Sequence, residues 1–312
     1  MSRDVVTDFE PVARAENVPF RNVISVDVED YFHAEAFSKV VNPTDWNGRP
    51  SRVEENTRRI LELFSKLGVE ATFFVLGWVA ERYPALVREI AAAGHELACH
   101  SYQHRLIYNV TPEVFRDDTR RAKELIEQAG GAPVCGYRAP TFSIDTRSLW
   151  ALDILAELGF VYDSSIFPIY HDRYGIPQAP RFPFRVATSA GPIIEYPMTT
   201  FRLWGEHNFP VGGGGYLRLL PRWYTRLGSR RAQKDNRPVI AYVHPWEIDG
   251  QHPRLKLGFQ SRFRHYTNIG KKTYERLADM LKEGEFTSFR ASGLAAIVQD
   301  YDISGWREHG SR

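Results

Sequence analysis

Short apolar runs, each about as long as a buried strand, alternate along this chain with segments of helical periodicity, and that alternation constrains the fold more than any single residue. Ile24, Val26 and Val28 alternate with Ser25, Asp27 and Glu29, so the first strand has one apolar face and one face that ends in carboxylates. Ser51-Arg52-Val53-Glu54 has the spacing of a capping box, and Ile60, Leu61, Leu63, Phe64 and Leu67 form an apolar helical face stopped by Gly68. The buried run Ala71–Leu76 follows. Helices are then expected over Pro84–Ala93, from Thr111-Pro112 to Gln128 and from Asp145 to Leu158, with strands at Glu96–Cys99, Val134–Tyr137 and Phe160–Tyr162. Strands separated by helices of this length build right-handed βαβ units and a mainly parallel sheet, closed as a barrel or left open.

The rhythm breaks between about 169 and 238, where seven prolines fall between Pro177 and Pro221 and the run Gly212-Gly213-Gly214-Gly215 occurs. Phe182, Phe184, Trp204, Phe209, Tyr216, Leu219 and Trp223 are interleaved there and need burial, so the segment reads as a loop-rich insertion, not a linker. The four glycines lack the following Lys-Ser/Thr of a phosphate loop and let backbone pass close to another group. Val239–Val243 restores the pattern as a buried strand, followed by a helix over Lys271–Lys282 and a last strand over Phe286–Phe289. The expected organisation is a mobile tail over 1–20 and a single α/β domain over 21–312.

Of the 312 residues, 43% are hydrophobic, which suits a packed domain. Forty basic and 38 acidic residues leave a formal charge of +2, too little to drive binding to nucleic acid or anionic lipid. Two cysteines, Cys99 and Cys135, exclude a disulfide scaffold and a four-cysteine zinc site. No apolar run approaches the ~20 residues of a membrane span, and the polar N-terminus gives no signal segment, so a cytoplasmic location is expected. Seven positive charges between Arg218 and Arg237 read as a solvated helical face or as a contact for an anionic polymer.

Reactive side chains cluster after these strands, where parallel α/β folds place their sites. Asp27-Val28-Glu29-Asp30 puts three carboxylates in four residues, and His100-Ser101-Tyr102-Gln103-His104 puts two imidazoles four apart. Two histidines with one carboxylate form a common ligand set for Zn²⁺ or another divalent transition metal with open positions. Arg138-Ala139-Pro140, Asp163-Ser164-Ser165 and His244-Pro245-Trp246-Glu247 follow three further strands. Each group alone has an ordinary explanation as a solvated turn or a core histidine; their order at successive strand ends does not.

That ordered series resembles the polysaccharide deacetylases of the NodB-homology, carbohydrate esterase family 4 type. Asp27–Asp30 resembles the family's first motif, His100–His104 its HSxxH motif, Arg138-Ala139-Pro140 its RxP motif and Val243-His244-Pro245 its last motif. Asp27–Phe32, His244–Glu247 and Arg262–Tyr266 resemble the branch associated with the exosortase (PEP-CTERM) system. The resemblance implies a distorted (β/α) barrel with irregular insertions. It also implies a hydrolase of carbon–nitrogen bonds in linear amides that removes acetyl groups, N-acetyl foremost, from an amino-sugar polysaccharide or oligosaccharide, in exopolysaccharide biosynthesis.

In those terms Asp27 is the general base, Arg138 orients it, His244 is the general acid, and His100 and His104 hold one divalent metal ion, Zn²⁺ first. The first motif departs from the family's adjacent aspartates, so the third ligand is Glu29 or Asp30; alternation favours Glu29, and the family's use of aspartate tips the expectation narrowly to Asp30. Asp163 is the candidate partner that keeps His244 protonated, and Tyr102, Pro140, Thr141 and Trp246 are candidate substrate contacts, with a backbone N–H such as that of Thr141 facing the oxyanion. Two other readings compete: a metal-free relative cleaving C–N bonds of small cyclic molecules, and a polysaccharide-binding module without turnover. Oligomeric state is open.

Overall fold

The computed structural model describes residues 20–307, so the tail expected over 1–20 lies, apart from Phe20, outside the described residues. Strand β1 (Asn22–Val28) is followed by α1 (Val53–Leu67), β2 (Thr72–Val75), α2 (Gly77–Arg82), α3 (Pro84–Ala92), β3 (Glu96–Cys99), α4 (Pro112–Gly130), β4 (Gly136–Tyr137), α5 (Trp150–Glu157) and β5 (Tyr162–Asp163). The loop-rich segment contributes the hairpin β6 (Phe184–Thr188) and β7 (Gly191–Glu195), the pair β8 (Thr200–Phe201) and β9 (Phe209–Pro210), α6 (Gly214–Leu219) and α7 (Arg222–Lys234). Then come β10 (Ile240–Val243), α8 (Phe259–Tyr266), α9 (Lys271–Glu283), β11 (Phe286–Thr287), β12 (Gln299–Asp300) and α10 (Ser304–Arg307). No helix among the described residues is long and apolar enough to cross a membrane.

The main sheet runs β10-β1-β2-β3-β4-β5-β7-β6-β12, with β11 also on β1, and every pairing is parallel except that of the β6–β7 hairpin. Among the described residues no ladder joins β10 to β12, so the mixed α/β structure is a distorted barrel and not a complete ring. Beside β10 the backbone of the glycine run passes instead: Gly213 bridges Tyr242, and Tyr242 N–H donates to Gly212 O at 3.2 Å. A Cβ on Gly213 would stand 2.1 Å from the Tyr242 ring. The close approach that the glycines allow is therefore first of all to this tyrosine.

Two apolar layers explain the strand sequences. Ile24, Val26 and Val28 of β1 face the large core shared with the helices, whereas Val23 joins Phe74, Ala98, Tyr162, Met198, Tyr242 and Phe289 in a second core. Along β1, Ser25 and Asp27 are fully or nearly fully buried polar groups on the other side from Val26 and Val28, followed by Glu29.

Two expected helix starts move. The Ser51–Glu54 box is not formed: α1 begins at Val53 and is capped from a distance by Asp30, whose Oδ2 accepts from Ser51 Oγ at 2.6 Å, Arg52 N–H at 2.7 Å and Val53 N–H at 3.1 Å. Helix α5 begins at Trp150 rather than Asp145, because Asp145 and Ser148 close a turn of their own, with Asp145 N–H on Ser148 Oγ. The helix at Pro112 begins as expected, with Thr111 as its cap.

Candidate active site

Arg138 is the best-anchored side chain of the site. It is fully buried after β4; one Nη1 donates to Asp27 Oδ1 at 2.8 Å and Ser25 Oγ at 2.7 Å, while Nε and Nη2 bond Ser164 O and Oγ at 3.1 Å. Its guanidinium also lies 4.1 Å over the Phe74 ring. A buried arginine with every edge engaged cannot swing, so Asp27 is held in one orientation.

Across the cleft stands His244, at the end of β10. Its Nε2 is 3.9 Å from Asp27 Oδ2 and 3.6 Å from Glu29 Oε1, and its Nδ1 is 3.1 Å from Glu247 Oε2. Burial works to lower the imidazole's pKa, but Glu247, Glu29 and Asp27 outweigh it and raise it to about 9. The partner of His244 is therefore Glu247. Asp163, the residue expected in that role, is fully buried elsewhere: its Oδ1 accepts from Ser165 Oγ, and burial beside Glu195 raises it to about 6, so it belongs to a carboxyl pair inside the barrel. The chain turns at Pro245 into a short 3-10 helix, where Glu247 caps the His244 N–H while accepting from its ring; this i,i+3 spacing was the signal that could have found it.

The third group is Glu29, His100 and His104, whose donor atoms lie within 4.8 Å of one another. His100 Nδ1–H donates to Arg138 O at 2.8 Å, which leaves Nε2 as the free lone pair, and burial pushes its pKa down to about 4, so the ring is neutral. His104 Nε2 lies 2.8 Å from Glu29 Oε2, and Trp246 Nε1–H fixes Oε1 at 3.0 Å. Burial would raise the Glu29 carboxyl, yet His104 and His244 leave it lowered and ionised. Two imidazole nitrogens and a carboxylate whose Oε2 accepts no well-directed hydrogen bond suit a divalent cation.

Asp30 is not part of this cluster. The narrow expectation in its favour is corrected by its role at the start of α1, where both oxygens are consumed: Oδ1 takes the Tyr31 N–H and Oδ2 the three donors already described. The strand alternation continues to Glu29, which keeps the face of Asp27. Glu29→Gln is accordingly expected to lose metal, while Asp30→Ala keeps metal and costs about 1–2 kcal/mol of stability as a lost cap; metal content and thermal unfolding of the two variants check this.

Four non-glycine residues of the site sit in the left-handed region: Ser101 (φ 62), His104 (φ 52), Thr141 (φ 55) and Phe142 (φ 53). Each such residue costs of order 1 kcal/mol or more, which surrounding packing must overcome. The strain is concentrated in the two segments that carry the histidines and the RxP turn. Thr141 and Trp246 line a cleft of about 400 Å³ with Asp27, Glu29, both histidines and His244. Pro140 is buried away from the cleft lining. Tyr102 is also corrected: its hydroxyl donates to Glu81, its N–H to Asp118, and its ring packs under Arg121 beside α4, because the left-handed turn at Ser101 directs it there.

Arg218 is a functional residue that the sequence hid in its basic stretch. It is buried, donates through Nε to Glu247 Oε1 at 2.5 Å, and binds the carbonyls of Arg264, His265 and Thr267. It thus ties α6 and α8 to the partner of His244.

Parts of the chain are similar to known proteins. Residues 45–162 match the polysaccharide deacetylase family model, and residues 164–293 match a domain of unknown function (DUF3473). Residues 45–162 are therefore similar to polysaccharide deacetylases. The first match holds His100, His104 and Arg138 and the second holds Arg218, His244 and Glu247, while Asp27 and Glu29 precede both. A peptidoglycan-N-acetylglucosamine deacetylase of Bacillus cereus is 36% identical over 100 residues, 32% of this chain and 36% of that protein. A peptidoglycan deacetylase of Helicobacter pylori is 31% identical over 121 residues, 38% of this chain and 40% of that protein. The chain thus spans well under half the length of these curated relatives. A solved structure from Mycobacterium smegmatis, titled as a candidate polysaccharide deacetylase, superposes over 90% of this chain and 91% of its own with a TM-score of 0.57 at 21% identity, which shows the shared fold.

Proposed function

We propose that this polysaccharide deacetylase homologue is a metal-dependent hydrolase that removes N-acetyl groups from an amino-sugar polymer. The observation that carries the reading is the placing of Asp27, locked by Arg138 at 2.8 Å, opposite a His244 held protonated by Glu247, with the Glu29, His100 and His104 donors beside both.

A divalent cation such as Zn²⁺, held by Glu29, His100 and His104, would polarise the acetyl carbonyl and lower the pKa of water. Asp27 takes the proton of the attacking water, and Arg138 keeps the carboxylate aimed. The Thr141 N–H, on the cleft wall, is a donor for the developing oxyanion. His244 then gives its proton to the departing sugar amine, and Glu247 stabilises the imidazolium until it does. The features that support a role in exopolysaccharide biosynthesis of the exosortase-associated type are the sequence segments Asp27–Phe32, His244–Glu247 and Arg262–Tyr266.

Acetate release from an N-acetylglucosamine oligomer, compared with hydrolysis of an aryl acetate, tests the reading. His244→Ala should damage the amide reaction far more than the ester reaction, since an aryl oxide leaves without protonation. Equal losses on both substrates would show that His244 is not the acid. Glu247→Gln removes the largest charge that raises His244, so the alkaline limb of kcat on the amide is expected to move down by about 1–3 pH units; a limb that stays in place would assign the proton to another group.

A further inference from the structure

The cleft carries charge that this chemistry does not use. Arg173 and Arg264 both line it, and among the described residues neither guanidinium forms an ion pair. Elsewhere in the insertion Arg222 pairs with Asp279 and Arg226 with Glu283. Those two line a separate pocket with Asn22 and Val239, at the starts of β1 and β10, the opposite end of the barrel from the site. Of the basic stretch, Arg218 reaches the site, and it is already spent on Glu247.

Both free cations are set in built surroundings. Burial, then the charges of Arg173 and Arg264, hold the His171 imidazole low against the pull of Asp172, and His171 lines the same cleft as both arginines. That ring stacks on Tyr174 at 3.9 Å, and the Tyr174 hydroxyl meets that of Tyr216 at 3.2 Å. The Arg264 carbonyl accepts from Arg218 Nη2 at 3.1 Å, and Arg218 also binds Glu247, so one free cation is tied through backbone to the group that orients His244. The Arg173 carbonyl is fixed by Arg147 at 3.3 Å.

The carboxylates of the lining are committed elsewhere. Asp27 answers Arg138, Glu29 takes Trp246 and His104, and Glu247 takes Arg218 and His244. Glu35 accepts from Ser38 and its field falls on His104, while Asp172 lies against His171. Two guanidiniums lining a cleft, with no counter-ion among the described residues, are suited to an anion from the substrate, which they can grip through paired N–H donors.

We propose that the substrate is an anionic amino-sugar polymer, bearing a carboxylate on or next to the acetylated sugar, and that Arg173 and Arg264 are the specificity residues that bind it. The inference rests on the deacetylase reading above. The carboxylate belongs either to an ether-linked acid on the acetylated sugar or to a neighbouring uronic acid.

The test compares kcat/KM for three oligosaccharides: a neutral N-acetylglucosamine oligomer, one alternating N-acetylglucosamine with glucuronic acid, and one containing N-acetylmuramic acid. At low salt an anionic oligomer is expected to exceed the neutral one by about tenfold or more. That ratio should collapse toward one in Arg173→Ala and Arg264→Ala, be partly kept in the lysine variants, and shrink at about 0.5 M salt. Which anionic oligomer responds places the carboxylate on the sugar itself or on its neighbour. A ratio near one in the unaltered protein, or one indifferent to both arginines, overturns the proposal while acetate release leaves the deacetylase reading intact. If no oligomer is turned over, calorimetric binding to the Asp27→Asn protein decides: arginine-dependent preference for the anionic oligomers sustains the proposal, and its absence overturns it.

Discussion

His100→Ala is expected to abolish divalent-metal binding and reduce acetate formation to background. Among the described residues, three side chains supply donors to the cluster. Altering a group that merely orients a ligand typically costs 10–100-fold in metal affinity, so removal of a ligand should cost more than about a hundredfold. The buried Arg138 carbonyl, which now accepts the His100 N–H at 2.8 Å, would also lose its partner. Metal content per chain after dialysis, measured beside acetate release, checks the result. Full metal occupancy in this variant would sink the assignment of the ligands, and lost activity with retained metal would give His100 a different role.

Asp27→Asn is expected to keep the metal and lose turnover by about 10²–10⁴-fold, the usual worth of a general base. The amide has the carboxylate's shape and can still meet Arg138 Nη1 through its oxygen, but it cannot take a proton. The substitution should damage amide and aryl-ester substrates alike, because both reactions need the attacking water activated. That distinguishes it from His244→Ala, whose effect depends on the leaving group. A loss below about tenfold would move the base to another residue. A loss of metal as well as activity would mean that Asp27 belongs to the ligand set.

Much of the barrel was legible because strand and helix periodicity are local. The apolar alternation at 24–28, the buried run at 71–76, the Thr111-Pro112 helix start and the glycine stop at 68 each reflect short-range sterics and burial, and each appears in the structure. The order of reactive groups at strand ends was legible for the same reason. A parallel sheet carries the residues after its strands to one end, where Asp27, His100, Arg138 and His244 converge.

Partners were not legible, since a side chain's partner is set by contacts between distant segments. Asp30 was drawn toward the metal by its residue type; the start of α1, more than twenty positions away, supplied three donors and took it. Asp163 looked like the natural companion of His244, but Ser165 and Glu195 enclose it within the barrel. Arg218 was one charge among seven until the fold buried it against Glu247 and three carbonyls of the α8 region. The sequence by itself determined which chemical groups reach the mouth of the barrel, through the two-residue repeat of its strands and the parallel order of its βαβ units. Only the tertiary structure decided which of those groups act together, because a buried carboxylate or guanidinium must find its counter-charge and hydrogen bonds wherever folding places them.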